Sequence, residues 1–122
     1  MTILGVHHVQ LAMPRGREAD AEVFYEGLLG IQRVPKPPHL EERGGCWFES
    51  QAVRLHLGVE DGFAPAGKAH PALLVDDLGS LRQRLTGAGV EVVDDQPLPG
   101  FDRFYASDPF GNRLEFLSPL DG

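Results

Sequence analysis

The chain carries one pattern twice, and this repetition constrains its fold more than any other feature. The first copy reads His8-Val9-Gln10-Leu11-Ala12-Met13, runs through a helix-like stretch to Gly30-Ile31, and reaches Val53-Arg54-Leu55-His56-Leu57. The second reads His70-Pro71-Ala72-Leu73-Leu74-Val75, runs through a helix-like stretch to Gly89-Val90, and reaches Arg113-Leu114-Glu115-Phe116-Leu117. His8 to His56 is 48 residues (56 − 8), and His70 to Glu115 is 45 (115 − 70). The offset is 62 at the histidines (70 − 8) and 59 at the glycines (89 − 30), and the longer connection Pro14-Arg15-Gly16-Arg17 absorbs the difference. A repeated unit cannot easily bury its apolar face alone, so the copies are expected to pack as one pseudo-symmetric body. Such symmetry would gather four ligand-type side chains.

Local patterns fill in the unit. Ile3 to Met13 reads as a strand ended by Pro14. Arg17 to Leu29 reads as a helix with Ala21, Phe24, Tyr25, Leu28 and Leu29 on one apolar stripe and Gly30 as its stop. Three prolines, Pro35, Pro37 and Pro38, predict a loop or excursion over residues 31–44. Cys46 to Glu49 and Val53 to Val59 form a predicted hairpin, and Glu60 to Lys68 a linker. The second copy gives a strand from about His70, a helix Leu78 to Thr86 behind the N-terminal cap Asp76-Asp77, and strands at Val90 to Val93 and Arg103 to Ala106. Its final strand follows the turn Asp108-Pro109-Phe110-Gly111-Asn112, in which Gly and Asn are expected to supply positive φ.

Strand alternation sorts the chemistry-bearing residues by face. His8, Gln10 and Ala12 oppose Val9, Leu11 and Met13; Arg54, His56 and Gly58 oppose Leu55 and Leu57; Arg113, Glu115 and Leu117 oppose Leu114 and Phe116. Each strand thus has one side fit to pack under a helix and another carrying a ligand-type residue. A lone strand histidine is ordinarily a surface or core residue; four ligand-type residues at symmetric positions suggest a site.

Composition excludes several classes. A formal charge of −7 disfavours nucleic acid and anionic membrane, which need basic patches. The single cysteine, Cys46, permits neither an internal disulfide nor a thiolate-rich zinc site. No stretch reads as a signal peptide or spanning helix, so a cytoplasmic single domain over residues 1–122 is expected, with modules at about 1–60 and 68–122.

These motifs resemble the vicinal oxygen chelate superfamily, which includes glyoxalase I, extradiol dioxygenases, fosfomycin-modifying enzymes and bleomycin-binding proteins. The resemblance rests on His8 in His-His-Val-x-Leu, on His70 in His-x-Ala-x-x-Val-Asp-Asp-Leu, and above all on Asp108-Pro109-Phe110-Gly111-Asn112-Arg113-Leu114-Glu115-Phe116. It implies an α+β fold of two tandem βαβββ modules with a curved-sheet cavity, and usually a homodimer. It implies His8, His70 and Glu115 as ligands of a divalent ion (Zn, Ni, Fe or Mn) with positions left open for a substrate. The fourth family position falls on His56, where glyoxalase I has Glu or Gln. The activity implied is that of a metal-dependent lyase or isomerase on a small substrate chelated through adjacent oxygens, with Glu115 moving the proton. A metal-free drug-binding protein is the alternative, and a ring-cleaving dioxygenase a weaker one.

Further residues are candidates for the substrate. Arg54 shares a face with His56, Arg103 and Tyr105 share one on the penultimate strand, and Trp47 lies on the strand predicted to pair with that of His56. Either arginine suits a carboxylate or phosphonate, although a cross-strand pair of Arg54 with Glu49 is equally expected. Trp47 is read first as a core or interface residue, Cys46 as a buried small hydrophobe, His7 as structural, and His39 as exposed.

Overall fold

A computed structural model describes residues 1–120. The chain divides into two compact units, Met1–Ala64 and Pro65–Gly122. The first unit runs β1 (Val9–Met13), α1 (Glu18–Glu22), a π-helical turn (Val23–Leu28), β2 (Arg33–Val34), α2 (Pro38–Glu41), β3 (Cys46–Glu49) and β4 (Arg54–Val59). The second runs β5 (Ala72–Leu74), α3 (Leu78–Gly87), β6 (Val92–Asp94), β7 (Phe101–Ser107) and β8 (Arg113–Pro119). Each unit forms a four-stranded mixed sheet, ordered β1-β4-β3-β2 in one and β5-β8-β7-β6 in the other. The outer strand is parallel to its neighbour in both, with Val9 opposite Leu55 and Ala72 opposite Glu115. This is the repeated βαβββ, α+β plan expected from the duplication.

In the first unit the alternation of β3 and β4 sends Cys46, Phe48, Leu55 and Leu57 to one face, where they are buried with Met13, Ala21, Phe24 and Tyr25. Tyr25 stacks on Phe48 at 5.2 Å. Fully burying a residue of this size contributes about 1.5–3 kcal/mol, so these few side chains dominate the unit's cohesion. The helix does not continue regularly to Leu29 as its periodicity predicted. The amide of Leu29 bonds the Phe24 carbonyl, five residues back, and the wider turn carries burial on to Ile31, while Leu28 and Leu29 are half-buried. Gly30 follows at φ +74°, as its role as helix stop predicted. Cys46 is buried, and desolvation pushes its thiol up to about 11, so it packs as a neutral small side chain.

In the second unit Phe104, Ala106, Leu114 and Phe116 line the apolar face of β7 and β8, with Leu81 and Leu85 of α3 buried. The predicted cap is Asp77, whose carboxylate accepts from the Ser80 amide at 3.0 Å and from the Ser80 hydroxyl at 2.8 Å. Before β8, Asp108 Oδ1 accepts from the amides of Phe110 and Asn112, both at 2.9 Å, which sets the register of the final strand. Positive φ in that turn falls on Gly111 (+91°) only; Asn112 instead donates its side-chain amide to Asp108.

Several strand boundaries differ from the sequence expectation, and two of them bear on the candidate ligands. β1 begins at Val9 rather than Ile3, and β5 at Ala72 rather than His70, so both histidines lie just ahead of their strands. Ile3, Leu4 and Val6 have strand-forming side chains but are exposed, and among the described residues no strand pairs with them. A strand exists only where a neighbour accepts its hydrogen bonds.

Candidate functional site

In the first unit, β4 holds His56 between Gln10 of β1 and Trp47 of β3. The Trp47 indole stacks on the His56 imidazole at 4.1 Å and 6°, and the His8 ring at 4.4 Å and 22°. Because β1 and β3 flank β4, the two rings enclose the imidazole, which is only 4 % exposed. His56 Nε2 lies 2.8 Å from Glu49 Oε2 and donates to it in its Nε2-protonated form. Arg54, directly opposite Glu49, is farther from that carboxylate at 4.0 Å and reaches the His7 carbonyl at 3.5 Å. His8 is exposed, with its Nδ1 2.9 Å from that of His7, and His39 is exposed on α2. The pairing of Glu49 with His56 was missed by sequence reasoning; its signal is the diagonal relation of residues two apart on facing strands of one sheet face.

Burial holds the His56 pKa below its ordinary value; Glu49 opposes this and His8 adds to it. The folded state therefore disfavours the proton that the unfolded chain accepts near 6.5. Above that pH both states are neutral and the group contributes no slope; as pH falls through about 6.5 the unfolded chain takes up more protons and stability declines. Metal-free protein is expected to show a falling urea midpoint between about pH 7 and 5, with the slope reduced in His56→Gln. Asp77, Asp94 and Asp95 are held low by hydrogen bonds from Ser80, Arg82 and Gln96 respectively, and lose their stabilisation only near and below their ordinary 3.8.

In the second unit, His70 and Glu115 meet. His70 Nε2 lies 2.8 Å from Glu115 Oε1, and its Nδ1 lies 2.7 Å from the Lys68 carbonyl. A carbonyl only accepts, so Nδ1 carries a proton and Nε2 is the nitrogen turned toward the carboxylate. The other oxygen, Oε2, accepts from Arg103 Nη1 at 3.3 Å. Arg103 is engaged throughout: it also donates to the Tyr105 hydroxyl at 3.0 Å and the Gln96 carbonyl at 2.8 Å, and it pairs with Asp95 at 3.3 Å. Glu115 is 5 % exposed and lies opposite Tyr105 across the β7–β8 ladder. Arg113, two residues earlier on the same face, places its guanidinium 4.5 Å from the centre of the Tyr105 ring.

The sequence from residue 5 to residue 116 matches the model of the Glyoxalase/Bleomycin resistance protein/Dioxygenase superfamily. The chain belongs to this superfamily. A glyoxalase family protein from Bacillus anthracis is 46 % identical and superimposes with a TM-score of 0.93, over 98 % of each chain. Lactoylglutathione lyase from Agrobacterium tumefaciens is 22 % identical with a TM-score of 0.69, over 96 % of this chain and 95 % of that one. The antibiotic-binding protein TnmS3 from Streptomyces is 23 % identical with a TM-score of 0.71, over 98 % of this chain and 100 % of that one. An enzyme and a binding protein thus share this superfamily fold, and the fold alone does not select between them. No protein of curated function matches the sequence.

Divalent metals are common in the superfamily, and the second-unit pair fits one. Two donor atoms held to one ion at about 2.0–2.2 Å on neighbouring positions lie roughly 3 Å apart, close to the separation of His70 Nε2 and Glu115 Oε1. The Lys68 carbonyl on Nδ1 is the usual outer partner of a ligating histidine, and Arg103 orients the carboxylate. Within either unit, the described residues contain no group of three His, Cys, Asp or Glu side chains arranged to hold an ion. Among the described residues no helix is long and apolar enough to cross a membrane.

Proposed function

We propose that the protein is a glyoxalase-like metal-dependent lyase or isomerase acting on a small substrate through two adjacent oxygens. The observation that carries this reading is the His70–Glu115 pair, with Nδ1 tied to the Lys68 carbonyl and the second carboxylate oxygen tied to Arg103. His70 and Glu115 would hold the ion, with His8 and His56 as the further ligands that the superfamily resemblance implies. A bound divalent ion supplies Lewis-acid polarisation of the substrate oxygens. Glu115 takes a proton from the carbon beside those oxygens and returns it to the neighbouring carbon. Arg103 keeps Oε2 hydrogen-bonded during that transfer, and the Tyr105 hydroxyl holds Arg103 in place. Low exposure at Glu115 and His56 limits competition from bulk water. Trp47 and Arg54 complete the proposed substrate-contacting set.

A second reading has its own support. The Trp47–His56–His8 stack ends in ring faces suited to a flat aromatic ligand, as in a metal-free drug-binding protein. Elemental analysis of untagged protein purified without chelator separates the two. About one divalent ion per chain, lost in the His8→Ala/Glu115→Ala double variant, supports the metalloenzyme. No ion in the wild type after incubation with Zn, Ni, Mn and Fe(II) would leave the binding protein as the standing function.

A further inference from the structure

The second-unit sheet face holds two arginines, and their surroundings give them different tasks. Arg103 is enclosed by Glu115, Asp95, the Tyr105 hydroxyl and the Gln96 carbonyl, so its charge and its hydrogen-bond donors are already committed. Arg113 is half-buried and stacked on the Tyr105 ring at 4.5 Å. Among the described residues its guanidinium makes no hydrogen bond or ion pair, and its acidic neighbour through space, Asp95, is itself paired with Arg103. By contrast, ion pairs engage Arg15, Arg17, Arg33, Arg54 and Arg82 as well as Arg103. In a chain of formal charge −7, an arginine with no acid in direct contact beside a face of paired charges is a feature to be explained.

The ring holds the guanidinium in place from one side without using its N–H fork, which suits bidentate capture of an oxyanion. Arg113 and Glu115 are two residues apart on one side of β8, which sets their backbone positions about 7 Å apart. We infer that Arg113 is an anion-binding subsite beside the His70–Glu115 pair, and that the substrate carries a carboxylate or another oxyanion a few bonds from the oxygens it presents at that pair. This inference rests on the metal-dependent reading above and narrows its substrate to small organic anions.

The test uses zinc-loaded full-length protein and two chelating probes of matched length, succinic monohydroxamate and butyrohydroxamate, which differ in a terminal carboxylate. Zinc content is measured first and the two dissociation constants are then obtained by calorimetry. The carboxylate probe is expected to bind the wild type about tenfold or more tightly than the neutral one. That ratio is expected to fall to about one in Arg113→Gln and to an intermediate value in Arg113→Lys, which keeps the charge without the planar fork. Wild-type protein that takes up zinc and binds both probes equally overturns the subsite alone, as does a preference that survives in both variants. Wild-type protein that takes up no zinc and binds neither probe overturns the metal-dependent reading and this one with it.

Discussion

Gly45→Ala is expected to lower the unfolding free energy by about 4 kcal/mol, a large part of what a domain this size possesses. Gly45 enters β3 at φ +85°, where an L side chain is strained by roughly 1–2 kcal/mol. A Cβ there would also sit 2.1 Å from the Leu57 carbonyl oxygen, a backbone atom of the neighbouring strand. That strand is the one carrying His56, so relief would require β4 to move or the ladder to open. Gly58→Ala is the control. Its Cβ would meet the Gln10 side-chain amide at 2.4 Å, but that is the end of a flexible chain that can swing aside. Urea unfolding of both variants should show a large drop in midpoint for Gly45→Ala and a small one for Gly58→Ala. Comparable drops would show that the approach of β3 to β4 at Gly45 is looser than described.

On the metal-dependent reading proposed above, Glu115→Gln is expected to weaken divalent metal binding by about 100-fold or more, with activity lost in parallel. The substitution is nearly isosteric, so it isolates charge. The carboxylate holds His70 with one oxygen and Arg103 with the other while only 5 % exposed. A neutral amide would remove the proposed ionic donor and proton acceptor together, and leave the Arg103 charge balanced by Asp95 alone. Competition against a chromophoric chelator measures the affinity directly. Unchanged affinity in Glu115→Gln would remove Glu115 from the ligand set; unchanged affinity with abolished turnover would leave it only the proton transfer.

The duplicated pattern made the fold legible, because strand alternation and helix stripes recur at matching places and each unit forms the same sheet order. Alternation also grouped Arg54 with His56 and Arg103 with Tyr105, and the ladder registers add Trp47 and Glu49 to the first face and Glu115 to the second. It could not say which neighbours on a face would bond. Glu49 faces Arg54 across the ladder yet pairs more closely with His56, and Arg103 bonds Glu115 on the facing strand. Those choices depend on rotamers, which respond to burial and competing donors rather than to sequence spacing. The same holds for the π-helical turn, where a single widened turn leaves the apolar stripe recognisable while changing which residue it finally buries.

The parallel pairing of each outer strand with the last strand of its unit also bears on how the chain is made. β1 cannot bond until β4 exists, since Val9 pairs with Leu55 and Met13 with Val59. At a synthesis rate of about 5–20 residues per second, the apolar β1 emerges several seconds before its partner. In the second unit β5 likewise waits for β8. A nascent chain therefore presents an unsatisfied strand edge twice, which gives a chaperone that recognises extended apolar segments two moments to act during one round of translation.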